Sequence, residues 1–381
     1  MMRNNIDRYL GIYVHIPFCK RKCDYCDFYS VCGFDDSLLD RYLKALIKQL
    51  DDYVVGNSRY TVDTLYIGGG TPSVFGGKRL AQLIKEIGKR FDFTPDIEIT
   101  VEVNPESADK KLFRQLKRAG VNRISMGVQS SSDEQLLSLG RLHDFKTAES
   151  AVLLCREYCT DNISLDLMYG LEGQTMDGWI RSVEDIVSLE PAHISCYALT
   201  LEESTPMAQR RPVLPDDDTV ADMYLAAVDR LGELGFEQYE ISNFCRRGYR
   251  SAHNSRYWDL RPYIGIGAAA HSFFGDKRYS TIRDVDGYIS GILSGESVID
   301  EADEIAVKNR IGEYIMLRLR TIDGIDESDF ERRFRTPFDS YAEKLKKYVP
   351  TAHAECGGGI YRLTPKGFFI SNTIICDVLD I

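Results

Sequence analysis

Three cysteines, Cys19, Cys23 and Cys26, stand in the order Cys-x3-Cys-x2-Cys directly behind the apolar run at 12–16. Thiolates are the ligands that iron–sulfur clusters need. Three of them on a four-iron cubane leave one iron without a protein ligand. A small molecule can chelate that iron, much as substrates use the open position of catalytic zinc sites. Structural zinc, with His15 or Asp24 as fourth ligand, is the competing reading. A zinc site usually pairs two separated ligand hairpins, and no second CxxC or HxxxH accompanies this one. The cluster is therefore the expectation.

The elements that must position such a site follow from periodicity. Short β-branched runs predict strands at 12–16, 64–67, 97–103, 123–127, 163–168 and 194–198. Helical spacing predicts helices at about 35–52, 77–91, 107–119, 132–159 (broken near 141–144), 176–189 and 216–234. Leu38, Leu39, Tyr42, Leu43 and Leu46, for example, line one face of the first. Alternating strands and helices mean an α/β fold with a parallel sheet, and six units are too few for a complete eight-unit barrel. The polar residues fall at one kind of place. The cysteines follow strand one, the Gly68 to Pro72 stretch follows strand two, Glu102 and Asn104 end strand three, and Gln129 ends strand four. Asp166 lies in strand five, and Tyr197 and Ala198 end strand six. The C-terminal strand ends of a parallel barrel form one rim, so these residues are expected at one pole.

From about 236 to 300 the pattern loosens into aromatic-rich, glycine-punctuated sequence. A new unit follows, with a helix at about 304–320, smaller helices, Gly357 to Gly359 and a strand-like run. It reads as a small helical domain with a wing. The 381 residues are 44% hydrophobic and 28% charged, the composition of a globular chain with a sizeable core. The start carries no apolar signal-peptide core, so the expected location is the cytoplasm. There, ten cysteines mean metal ligation or buried thiols sooner than disulfides. Net charge is −11, from 47 basic against 58 acidic residues, which argues against nucleic acid as a partner.

The segments YVHIPFCKRKCDYCDF, GGGTP, EVNPE, GVQS, DLMYGLEGQT and HNSRYW together resemble the radical-SAM superfamily, in the branch of oxygen-independent coproporphyrinogen III oxidases and HemW-type haem chaperones. The likeness covers nearly the whole chain. It implies a partial (β/α)6 TIM-like barrel over 1–235, a barrel extension carrying the HNSRYW box over 236–300, and a mainly helical, winged-helix-like HemN-type domain over 301–381. It also implies a [4Fe–4S] cluster on Cys19, Cys23 and Cys26, with S-adenosylmethionine (SAM) on the open iron. Gly69, Gly70 and Thr71 would meet the methionine amino group. Glu102 suits that ammonium, an ion pair within the barrel being its ordinary alternative. Gln129 and Asp166 resemble the ribose-binding pair, and Arg141 the residue facing the SAM carboxylate. Tyr13 and Tyr25 occupy positions that pack on SAM, and Ala198 joins the cofactor-binding set. Implied partners are haem, a haem-acceptor protein and an electron donor such as flavodoxin or ferredoxin, with transient association at a membrane.

One position divides the branch. The oxidases carry a fourth cysteine two residues after the third, and here that position is Phe28. Phe28 and the box His253-Asn254-x-x-Tyr257-Trp258 favour the chaperone pattern. The alternative is a radical-SAM enzyme, either a coproporphyrinogen III decarboxylating dehydrogenase or a HemN-like methyltransferase. A tRNA-modifying enzyme is disfavoured by the acidity. His253 is the candidate haem ligand, since a proximal histidine is the commonest haem anchor. A structural histidine held by its neighbours is the alternative. His271, His193 and His143 are lesser candidates. Cys155 and Cys159 read as buried helix thiols. Gly265-x-Gly267-x-x-Ala270 matches a dinucleotide fingerprint, but no helix follows it as that motif requires, so it reads as packing glycine.

Overall fold

A computed structural model describes residues 9–57, 60–275 and 277–381. Six parallel strands, each paired with the next in chain order, build its centre. They are β1 (Tyr9–Ile16), β2 (Thr61–Gly69), β3 (Asp92–Val103), β4 (Arg123–Gln129), β5 (Ile163–Tyr169) and β6 (His193–Ala198). Helices Asp36–Asn57, Gly77–Gly88, Lys110–Arg118, Phe145–Tyr158 and Met176–Ser188 make the crossovers, and Asp217–Glu233 follows β6. The break expected near 141–144 separates Asp133–Ser138 from Phe145–Tyr158. Asp144 sets the restart, because its side chain accepts from the Thr147 N–H. Asp109, Ser132, Thr175 and Asp216 cap their helices in the same way, each contributing about 1 kcal/mol.

Period-two alternation sorts the strand residues. On β1, Ile12, Val14 and Ile16 are fully buried in one core with Leu39, Tyr42, Leu43 and Leu46 of the first helix. Each such side chain contributes roughly 1.5–3 kcal/mol. Gly11, Tyr13 and His15 then face the barrel interior. Strand register continues that interior set: Tyr13 pairs with Tyr66, Tyr66 with Thr100 and Thr100 with Arg123. One step toward the rim, His15 pairs with Gly68 and Glu102 with Ser125; a further step brings Asp166, paired with Gly127 and Ser195.

The sheet continues beyond the six strands. β7 (Glu237–Gln238) and β8 (Asn243–Cys245) lie antiparallel beyond β6. On the other side β9 (Tyr263–Ile266) runs parallel to β1, followed by antiparallel β10 (His271–Phe274), β11 (Lys277–Thr281) and β12 (Ile299–Glu304). The twelve strands form an open sheet with β12 and β7 at its edges. All six residues of β12 are exposed, and Asp300, Glu301, Asp303 and Glu304 are among them.

Helix Ala252–Trp258, which carries the HNSRYW box, floors the barrel at the N-terminal ends of the strands. The Glu98 carboxylate accepts from the backbone N–H groups of Ala252 and His253, both at 3.0 Å. Arg256 is fully buried and paired with Asp63. Its shaft occupies the space beside Gly11, where a Cβ would lie 2.5 Å from Arg256 Cδ. The C-terminal unit comprises helices Val307–Arg318, Glu327–Phe334, Asp339–Lys346, Pro365–Phe369 and Ser371–Leu379. Its small sheet is β13 (Ile325–Asp326), β14 (Ala354–Gly357) and β15 (Ile360–Leu363), in the order β13-β15-β14. Gly358 and Gly359 take φ of 60° and 79°, which a tight hairpin turn requires, and so make the wing. The unit joins the barrel through Ile241 N–H to Arg320 O (2.9 Å) and Ile322 N–H to Tyr239 O (3.2 Å).

Candidate functional site

β1 delivers the chain at the rim into the cysteine loop. That loop is anchored by Cys19 N–H to Val31 O (3.1 Å) and Asp24 N–H to Leu139 O (3.1 Å). Cys19 is buried, Cys23 and Cys26 half-buried. Burial pushes the Cys19 and Cys26 thiols above their ordinary range, and their mutual proximity to Cys23 adds to it. The fourth ligands that zinc would need are engaged elsewhere. His15 bonds the Tyr13 hydroxyl (2.8 Å) and the Tyr29 carbonyl (3.3 Å), and Asp24 pairs with Arg210 (2.9 Å). Among the described residues, no three His, Cys, Asp or Glu side chains converge on a single ion. A cubane, in which each thiolate meets its own iron, does not ask for that convergence.

A chain of hydrogen bonds joins the loop to the strand ends. Thr71 Oγ1 donates to Cys19 Sγ (3.5 Å), Asn104 Nδ2 donates to Thr71 Oγ1 (3.0 Å), and Arg141 Nη2 donates to Asn104 Oδ1 (3.1 Å). Arg141 also donates to the Gly127 carbonyl (2.6 Å) and from Nη1 to Cys23 Sγ (3.4 Å). Among the described residues its buried Nε has no hydrogen-bond partner, which leaves a donor for an acceptor such as a carboxylate. The glycines are there for close approach. A Cβ on Gly70 would lie 2.9 Å from Cys19 Sγ, and one on Gly68 would lie 2.9 Å from Glu102 Oε1.

Glu102 accepts from the Tyr66 hydroxyl (2.7 Å) and the Gly69 N–H (3.0 Å). Among the described residues it makes no ion pair, so its ordinary alternative role as an ion-pair partner is not realised. Burial pushes its carboxyl up to about 7. Asp166 is pushed up to about 6 by burial, against the opposing hydrogen bond from Ser195. Neither acid makes an ion pair among the described residues, although the Arg123 charge offsets part of the burial at both. Arg123, 1% exposed, lies one row below Glu102 and two below Asp166, with Nε and Nη1 lacking a hydrogen-bond partner among the described residues.

Gln129 reaches the rim by a device that the sequence does not announce. Pairing between β4 and β5 shifts register between Gly127 and Gln129, and Gln129 takes a φ of 76°. Such a bulge re-aims a side chain. The Gln129 amide folds over Gly127, beside Arg141 and Asn104. Tyr13 stacks on Tyr66 with ring centres 6.2 Å apart. Tyr25 packs with Leu139, Met168, Leu171 and Met207, beside the Arg141 guanidinium. Ala198 ends β6, exposed with Tyr197.

The rim thus gathers Cys19, Cys23, Cys26, Tyr25, Gly69, Gly70, Thr71, Glu102, Gln129, Arg141, Asp166 and Ala198, with Tyr13 one row below Glu102. His253 is elsewhere. It is 0% exposed on the barrel floor, with its ring nitrogens bonded to Thr64 Oγ1 (2.9 Å) and the Tyr257 hydroxyl (2.9 Å). That is the geometry of the structural alternative: an iron ligand there would first have to break one of these bonds and open the floor. His253 also stacks on Tyr66 at 5.2 Å, so the box supports the tyrosine that holds Glu102. His193 and His143 are buried and bonded as well, to Ser164 and Tyr239 and to the Val128 carbonyl respectively. Cys155 and Cys159 are buried thiols. Gly265 lies in β9 and Gly267 between β9 and β10, with no helix following, and Gly267 packs on the His15 carbonyl and the Tyr42 hydroxyl. Sequence reasoning assigned no role to Asn104, Tyr66, Arg123 or Ser195. The EVNPE motif was the available signal for Asn104, and the inward alternation Thr64, Tyr66, Gly68 the one for Tyr66.

Comparison with known proteins agrees with this geometry. Residues 13–186 match the model of the Radical SAM superfamily, and residues 305–370 that of the HemN C-terminal domain. "Heme chaperone HemW" of Escherichia coli is 36% identical over 371 residues, 96% of this chain and 97% of the relative. That of Haemophilus influenzae is 36% identical over 331 residues, 84% and 85%. The Bacillus subtilis protein of the same name is 33% identical over 368 residues, 95% and 97%. The solved coproporphyrinogen III oxidase HemN from Escherichia coli superposes with a TM-score of 0.85, covering 98% of this chain and 90% of the other, at 23% identity. At that identity the likeness is one of fold.

Proposed function

The chain belongs to the HemW family within the radical-SAM superfamily, and on that premise we propose that it is a haem chaperone, binding haem and delivering it to an acceptor protein. Cys19, Cys23 and Cys26 hold the [4Fe–4S] cluster of this reading, and SAM fills the open iron position. Bound together, cluster and SAM supply the one-electron chemistry for which the superfamily is named. The protein's own part is to bind and orient. Glu102 takes the ammonium of SAM, supported by its having no ion-pair partner among the described residues. Arg141 offers its unpartnered Nε to the carboxylate. Gln129 and Asp166 accept from the ribose hydroxyls, and Tyr13, Tyr25 and Ala198 line the remaining wall. Gly69, Gly70 and Thr71 keep that wall thin enough for the ligand to reach the cluster.

The observation that carries the chaperone over the oxidase is Phe28. At the position of the oxidases' fourth cysteine stands a phenylalanine, 69% exposed. The division at 1–235, 236–300 and 301–381 is part of this reading, as are the electron donor and any transient contact with a membrane. No helix among the described residues is long and apolar enough to cross a bilayer. All ten cysteines are free, which supports a reducing, cytoplasmic setting. The test is anaerobic reconstitution of the cluster, a haem titration, and an assay of coproporphyrinogen III with SAM and a reductant. Stoichiometric haem uptake without decarboxylation is expected. Protoporphyrinogen formed over multiple turnovers would overturn the reading.

A further inference from the structure

A histidine that anchors haem iron has to present an unhindered ring nitrogen, and burial disposes of most of the six. His15, His143, His193 and His253 are all less than 9% exposed and hydrogen-bonded. His353 is half-buried in the C-terminal unit and bonded to Thr351 Oγ1 at 2.7 Å. His271, the first residue of β10, is exposed.

Its position places it at the mouth of the barrel. Gly265 pairs with Tyr13, so the open side of Gly265 faces the interior. A side chain there would collide with the backbone of His271, which therefore crosses on the interior side. His271 and Arg283 lie close enough to His15 to add to the burial that lowers its imidazole to about 4. His15 in turn bonds the carbonyl of Tyr29, whose hydroxyl accepts from the Val285 N–H at 3.0 Å. Tyr29 adjoins Phe28 in the cysteine loop. The exposed imidazole of His271, the exposed ring of Phe28 and the exposed guanidinium of Arg283 thus sit on segments that meet around His15 and Tyr29. These are the groups that an iron porphyrin asks for: an axial nitrogen, an apolar surface and a cation for a propionate.

We propose that His271 is the axial ligand of the haem iron, with the porphyrin lying across these segments against Phe28 and a propionate reaching Arg283. The assignment rests on the haem-chaperone reading, and it moves the haem from the floor of the barrel to its mouth.

The test titrates ferric haem into the full-length, cluster-reconstituted protein and reads the Soret band and the electron paramagnetic resonance of the iron. In His271→Ala the imidazole signature is expected to vanish and affinity to fall about tenfold or more. Added imidazole should restore the spectrum, while cluster absorbance and SAM binding stay unchanged. Arg283→Gln should weaken binding about threefold with the spectrum intact. His253→Gln should keep the imidazole signature if it folds. An unchanged spectrum and affinity in His271→Ala overturns the site assignment alone, as does a thiolate signature from the exposed, nearby Cys32. A wild-type protein that takes up no haem overturns the chaperone reading and the site together.

Discussion

Glu102 shows how much of the chemistry rests on single residues. With the Glu102 carboxyl at about 7 in spite of the nearby Arg123 charge, SAM must displace a proton below that pH. Affinity for SAM should therefore be flat above about pH 7.5 and fall toward tenfold per unit below pH 7, with Asp166 steepening the fall below about 6. Calorimetric titration from pH 5.5 to 8.5 measures this. Glu102→Gln should weaken SAM binding about tenfold at pH 8 and flatten the pH dependence. The acid was legible in the sequence, because a carboxylate at the end of an apolar strand has few other uses. Tyr66, which holds it, was not, since a tyrosine in an apolar run reads as core until strand register shows which way it points. Gln129 was legible as a residue but not as a bulge, because nothing local forecasts a positive φ for glutamine.

At the scale of elements, the helix Ala252–Trp258 does the least expected work. Its sequence suggested a haem motif; its structure is a plug, held by Glu98 at its N-terminus and by Arg256 in the space that Gly11 leaves open. Arg256 is fully buried, and burial lowers its guanidinium to about 10 in spite of Asp63. Removing it leaves Asp63 with Arg261 alone, at 2.8 Å. Arg256→Met should cost about 2–4 kcal/mol, somewhat below the cost of orphaning a wholly buried charge, as read from urea unfolding. Changes at His253 should reach SAM affinity through Tyr66 before they reach haem. The six strands and their helices were legible because each is a local pattern with the right period. The placement of β9 beside β1 was not, because it pairs residues some 250 positions apart whose apolar runs name no partner.

Over the whole molecule, the barrel and the C-terminal unit meet where Glu240 bridges to Thr321. Glu240 is 1% exposed, and burial pushes it up to about 7 against the Ser242 N–H that its Oε2 accepts, its Oε1 having no hydrogen-bond partner among the described residues. In the unfolded chain it gives up its proton near pH 4–5, earlier than in the folded one. Its contribution to stability therefore declines between about pH 4.5 and 7 and stays low above that. Glu240→Gln should leave the melting temperature nearly unchanged at pH 5 and raise it at pH 8, corresponding to about 2–3 kcal/mol. A loss at both values would mean that the carboxylate holds the junction rather than straining it. A second large-scale consequence comes from the edge strand β12. An incomplete barrel leaves a free row of backbone donors and acceptors, on which another chain can lay a strand. Here that row carries four acidic side chains in six exposed residues. Two copies meeting edge to edge would bring like charges into register, so this open edge does not become a seed for polymerisation.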